Sequence, residues 1–109
     1  MKMFEIIEYT DAIGGSPFSV WLDGLNDAQA VARIDARIGR LVHGLFGDCK
    51  PVGDGVWELR VDWGPGYRVY YAQAGKRLLL LLCGGDKRRQ AADIKRAMNY
   101  WKDWQRRTS

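Results

Sequence analysis

The run from residue 55 to residue 87 limits the fold of this chain more than any other part. It reads GVWELRVD (55–62), WGPG (63–66), YRVYY (67–71) and, after a short break, LLLLL (78–82) followed by Cys83 and GGDK (84–87). In the first segment apolar and polar residues alternate, which places Trp57, Leu59 and Val61 on one face of a strand and Glu58, Arg60 and Asp62 on the other. Arg68 and Tyr70 likewise share a face of the next strand, and the intervening WGPG is turn chemistry, so the two strands pair antiparallel. The leucine run shows no alternation and predicts a central strand covered on both faces, stopping at a glycine-rich loop that opens into a basic helix.

The rest of the chain supplies the covering layers. Phe4–Tyr9 predicts a first strand, and Ser16–Pro17 a helix start, with a capping serine and proline in the first turn. Phe18, Trp21, Leu22 and Leu25 follow at helical spacing, and Asn26 or Asp27 restarts the chain as a second helix. Val31, Ile34, Ile38, Leu41 and Leu45 form its apolar stripe, with Arg33, Arg37 and Arg40 as a basic stripe beside it. The segment from Gly44 to Gly55 ends that helix and reads as a polar loop; strands are expected at about 55–62, 67–73 and 77–83. A last helix from about Lys87 carries Ile94, Met98, Trp101 and Trp104 on its apolar side, with loose residues after Trp104. The expectation is an α+β fold over 1–109 as a single domain: a small, mainly antiparallel sheet, an N-terminal helical hairpin and a C-terminal helix.

Hydrophobic content of 47% and charged content of 28% suit a globular core of this size. No apolar run approaches the roughly 20 residues of a membrane span, and the N-terminus lacks the apolar core of a signal peptide, so a cytoplasmic location is expected. Cys83 closes the leucine strand as a buried thiol, and with one histidine (His43) and no Cys/His cluster a zinc site is not expected. Charge is divided along the chain. Residues 1–32 carry five carboxylates against one lysine, whereas residues 87–109 carry eight basic side chains against two carboxylates. Clustering of that kind suits either a polyanionic partner or a solvated helix face.

GPGYRVY at 64–70, LLCGGDK at 81–87 and Asp93–Ile94 ahead of Tyr100–Trp101 resemble the RelE/ParE toxin superfamily, most closely its HigB-like subgroup of addiction module killer proteins. The likeness extends from Phe18, Trp21 and Leu22 through LFGD (45–48) to the last helix. It implies the toxin of a type II toxin–antitoxin pair, with a RelE-like fold and a cognate antitoxin that carries a helix-turn-helix DNA-binding domain. Relatives of the RelE type cut messenger RNA in the ribosomal A site, and those of the ParE type poison DNA gyrase without chemistry of their own.

For a nuclease, the 2′-OH attacks the neighbouring phosphate, which requires a base, cations and an acid; no metal or cofactor is implied. Arg68 matches the family's phosphate-binding arginine, and its alternative is an ion pair with Glu58 or Asp62. Lys87 is a candidate acid or electrostatic stabiliser, although an ordinary lysine, at a pKa of about 10.4, needs burial or cationic neighbours to act as an acid. Arg60 fits the family's basic strand, where Glu58 departs from it, as a replacement base or as an orienting partner of Arg60 and Arg68. Ala92, Asp93 and Ile94 stand where many relatives carry a tyrosine or histidine; Tyr70 or Tyr71 is a stacking alternative, with the core as the other reading. Arg33, Arg37, Arg40, Arg88, Arg89 and Lys95 are the candidate contacts to ribosomal RNA and mRNA. The leading reading is thus a ribosome-dependent mRNA endoribonuclease. The alternatives are a gyrase inhibitor, and an antitoxin-binding co-repressor that reaches DNA only through the antitoxin.

Overall fold

The computed structural model describes residues 3–109. Five strands form one sheet in the order β1-β5-β4-β3-β2, with β1 at Glu5–Glu8, β2 at Cys49–Gly53, β3 at Val56–Val61, β4 at Tyr67–Gly75 and β5 at Leu78–Asp86. Only the β1–β5 pair is parallel; the other neighbours run antiparallel. The helices are α1 (Pro17–Asp23), α2 (Ala28–Val42) and α3 (Gln90–Thr108), the last entered through a 3-10 turn at Lys87–Arg89. No described helix is long and apolar enough to cross a membrane.

The leucine strand is central, as its lack of alternation requires, and it separates two apolar clusters. Phe18, Ile34 and Leu41 from α1 and α2 pack on Leu59, Val69, Tyr71, Leu79 and Leu81 from one face of the sheet. On the other face Ala97, with Ile94, Met98, Trp101 and Trp104 of α3, packs on Val56, Tyr70, Leu80, Leu82 and Cys83. Each fully buried aliphatic side chain contributes about 1.5–3 kcal/mol of burial free energy. Between Tyr70 and Tyr71 the β4–β5 register skips Leu82, a bulge that leaves Leu82 and Cys83 both in the α3-side cluster.

Both helix starts follow from their caps. Ser16 accepts the Ser19 N–H at 3.2 Å ahead of Pro17, and Asp27 accepts the N–H groups of Gln29 and Ala30 at 3.0 and 3.1 Å. At Gly84 and Gly85 the sheet is squeezed between helices: a Cβ on Gly84 would lie 2.2 Å from the Trp21 ring, and one on Gly85 would lie 1.9 Å from Asp93 Oδ2. These glycines are therefore strand residues that admit α1 and α3, and β5 runs on to Asp86 instead of ending at Cys83.

Three further expectations need correction. The segment expected to be a polar loop contains β2, in which Pro51 and a register shift before Gly53 are tolerated because, among the described residues, it is an edge strand paired on one side. Leu45 is not on the α2 stripe: the helix ends at Val42, Gly44 turns the chain at φ 74°, and Leu45 is 60% exposed. The residues after Trp104 remain helical to Thr108 because Asp103 pins this end: it accepts the Tyr9 hydroxyl at 2.6 Å and pairs with Arg106 and Arg107 at 2.6 and 2.9 Å.

Candidate nucleic-acid interface

The parity of β3 and β4 decides what the α3-side face displays near the hairpin turn. Arg60 stands directly across from Arg68 and Glu58 across from Tyr70, while Arg68 also faces Gly85 of β5. The turn folds back onto the start of the 3-10 segment, where the Lys87 N–H donates to the Gly66 carbonyl at 2.9 Å. Gly66, at φ 84°, has no side chain to separate the two: a Cβ there would meet Arg68 Nη1 at 3.4 Å and Lys87 Cβ at 3.6 Å. The result is an open cleft of about 340 Å³ in which Arg60, Arg68 and Lys87 meet Asp48, Asp62 and the turn at 64–66. These three cations, drawn from two strands and the α3 entry, are the sequence candidates that the fold brings together.

Glu58 lies beneath the cleft with 0% exposure. Its Oε1 accepts Arg60 Nε–H at 3.0 Å and stands 3.5 Å from Arg68 Nε, an ion pair too poorly aligned to count as a hydrogen bond. Its Oε2 accepts the Gln90 amide at 2.8 Å and the Tyr70 hydroxyl at 3.3 Å. Both arginines therefore meet the carboxylate through Nε. Among the described residues, Arg60 has no further protein acceptor, and Arg68 spends only Nη1, on the Tyr67 carbonyl at 3.2 Å. That leaves planar N–H donors for a bidentate anion such as a phosphodiester. The Arg68 side chain is 12% exposed and that of Arg60 33%.

The outer candidates separate into groups. Arg33 and Arg40 are exposed on α2, beside a groove that shares Asp62 with the cleft. Arg33 also stacks 3.9 Å above the Trp63 ring, whose Nε1–H donates to Asp27 at 3.1 Å, so α2 braces the turn that walls the cleft. Those contacts hold the Asp27 carboxyl below the ordinary carboxylate range, with the Ala30 N–H as the largest cause and the Trp63 bond next. Arg37 turns inward, donating to the carbonyls of Arg60 at 2.6 Å and Phe46 at 3.3 Å. Arg88 pairs with Asp86 at 2.9 Å, while Arg89 and Lys95 are exposed at the start of α3.

Tyr70 and Tyr71 belong to the core, 0% and 3% exposed, and burial raises the pKa of both phenols; neither offers a stacking surface. Trp63 is half-buried under Arg33, and Trp57 is the more exposed ring at 39%. Asp93 is buried at the α3 entry, and His43 caps the end of α2 on the surface. Sequence reasoning missed Asp48, on the cleft rim, and Gln90, whose bond to Glu58 spans 32 positions of chain. Neither carries a spacing signal, because both reach the site by way of segments whose docking is tertiary.

The family described as phage-derived protein Gp49-like (DUF891) matches residues 21–102, from Trp21 of α1 well into α3. An uncharacterized protein of Haemophilus influenzae (strain Rd) is 54% identical over 80 residues, covering 73% of this chain and 81% of the relative. The matched region contains every cleft residue named above, and on this evidence the chain belongs to the phage-derived Gp49-like family, a toxin-like family.

Proposed function

We propose that this chain is the toxin of a type II toxin–antitoxin module and acts as a ribosome-dependent mRNA endoribonuclease that stops translation. The observation that carries the reading is the convergence of Arg60, Arg68 and Lys87 on one open cleft, with arginine N–H donors left for an anion. Membership of a toxin-like family and the α+β fold support it.

In this reading the RNA's own 2′-OH attacks the adjacent phosphorus and the P–O5′ bond breaks, leaving a 2′,3′-cyclic phosphate and a 5′-OH. Arg68 and Arg60 take the charge that builds on the non-bridging oxygens, where preorganised donors act most strongly. Lys87 stabilises the departing 5′-oxygen and, as the candidate acid, gives it the proton that completes the 5′-OH. Glu58 is assigned to hold the arginines, since burial and four partners leave it no path to a 2′-OH. Asp48 and Asp62 are the cleft carboxylates available for the 2′-OH proton. Arg33, Arg40, Arg89 and Lys95 carry the flanking RNA by phosphate contact, whereas Arg37 is assigned to bracing β3 and Arg88 to its pair with Asp86. The partners are the ribosome, its mRNA, and a cognate antitoxin whose helix-turn-helix domain links the pair to DNA.

Brief expression in growing cells tests the reading. Protein synthesis should stop while DNA stays intact, and Arg68→Ala should abolish toxicity yet still co-purify with the antitoxin. Arrest with DNA breaks and filamentous cells would replace it with gyrase poisoning. Normal growth with intact antitoxin binding would replace it with the co-repressor reading.

A further inference from the structure

We infer that Gln90 is a positioning residue for the cleft: it fixes the orientation of Arg60 and Arg68 through Glu58. The inference rests on the nuclease reading only for its effect on rate; the geometry stands apart from it.

Glu58 must serve two guanidinium groups from one oxygen. Oε1 faces Arg60 Nε at 3.0 Å and Arg68 Nε at 3.5 Å, so a small rotation of the carboxylate tightens one contact and loosens the other. What stops that rotation is the other oxygen. Oε2 receives the Gln90 amide at 2.8 Å and the Tyr70 hydroxyl at 3.3 Å, and the amide bond is the shorter of the two. Tyr70 is buried within the sheet itself and moves with β4. Gln90, by contrast, is the first residue of α3, directly after the 3-10 turn that carries Lys87. One side chain therefore ties the helix that positions Lys87 to the carboxylate that positions both arginines. A displacement of reacting groups by about 1 Å can cost roughly a hundredfold in rate, so an orienting bond of this kind has leverage on chemistry it never touches.

The experiment uses the purified full chain with Gln90→Leu, which removes the amide at similar volume, and Gln90→Glu, which sets a second carboxylate against Oε2. Two readouts are taken. Nitrogen-15 NMR of the arginine Nε–H groups reports orientation whether or not the protein cuts RNA. Both variants should shift or broaden the Arg60 and Arg68 Nε–H resonances while the core amide resonances stay in place. Single-turnover cleavage of mRNA on programmed ribosomes should fall about 10- to 100-fold in Gln90→Leu. The same change made on top of Glu58→Ala should cost less than about twofold more, because its effect runs through that carboxylate. Unmoved Nε–H resonances in both folded variants, or rate losses that multiply independently of Glu58, would overturn the positioning role. A wild-type protein that does not cut RNA but shows the Nε–H shifts would sink the nuclease reading and leave the geometric inference standing.

Discussion

Replacing Glu58 tests the interior of the site directly. Glu58→Ala would leave Arg68, with a side chain only 12% exposed, without its counter-ion, and Arg60, 33% exposed, without its Nε acceptor. Removing one partner of a buried pair costs about 3–5 kcal/mol, because the remaining charge has no compensation. Arg60 is exposed enough for water to screen it, so it adds little and the lower half of that range applies: about 3–4 kcal/mol. Glu58→Gln keeps the shape and one acceptor and should cost about 1–2 kcal/mol. The measurement is urea unfolding followed by tryptophan fluorescence. With a slope of about 1–3 kcal/mol per molar, the alanine variant should lose 1 M or more from its midpoint. Glu58→Leu combined with Arg68→Met should recover most of that loss, since a buried ion pair exchanged for apolar groups of similar size is close to neutral. An alanine variant within about 0.5 kcal/mol of wild type would refute the anchoring account of Glu58.

Other perturbations reach other parts of the account. Gly84→Ala should cost about 3 kcal/mol, read as lost soluble yield or a lowered unfolding midpoint, because a Cβ would sit 2.2 Å from the rigid Trp21 ring; Gly85→Ala should cost less, about 1–3 kcal/mol, because its nearest atom at 1.9 Å is the terminal Oδ2 of Asp93. Cys83, whose thiol burial pushes up to about 12, should resist iodoacetamide at pH 8 in the native protein and react fully in urea. Asp103 is held below its ordinary range, first by the Tyr9 hydroxyl and then by Arg106. A carboxyl depressed in the folded state contributes stability above its unfolded pKa of about 3.9 and loses it as pH falls through the folded value. Acid titration below about pH 4 should therefore loosen the end of α3, and Asp103→Asn should flatten that part of the thermal-midpoint profile.

Much of this fold was legible because its core strands obey simple periodicities. The β3 alternation, the unbroken leucines of β5, the Ser16–Pro17 and Asp27 starts and the α2 stripe each follow from one local rule, and alternation already grouped Arg60 with Glu58 and Arg68 with Tyr70. What was not legible depends on partners distant in sequence. Alternation assigned Glu58 to a face but not to the interior; α3 and Gln90 cover it. Cys49–Gly53 is a strand only because β3 offers it an edge, despite Pro51 and Gly53. Arg37 fits a basic stripe by spacing, yet the backbone carbonyls of Arg60 and Phe46 accept its guanidinium and hold it inward. Gly84 and Gly85 read as a loop because glycine marks both turns and tight packing, and only the crossing helices distinguish the two.

The central claim, that the cleft of Arg60, Arg68 and Lys87 cuts translated RNA, is tested most directly by mapping transcript 5′ ends within minutes of inducing the wild-type chain and Arg68→Ala. New ends inside translated frames, present with the wild type and absent with the variant, are the predicted result. Growth arrest with intact transcripts, or the same ends in both strains, would contradict it.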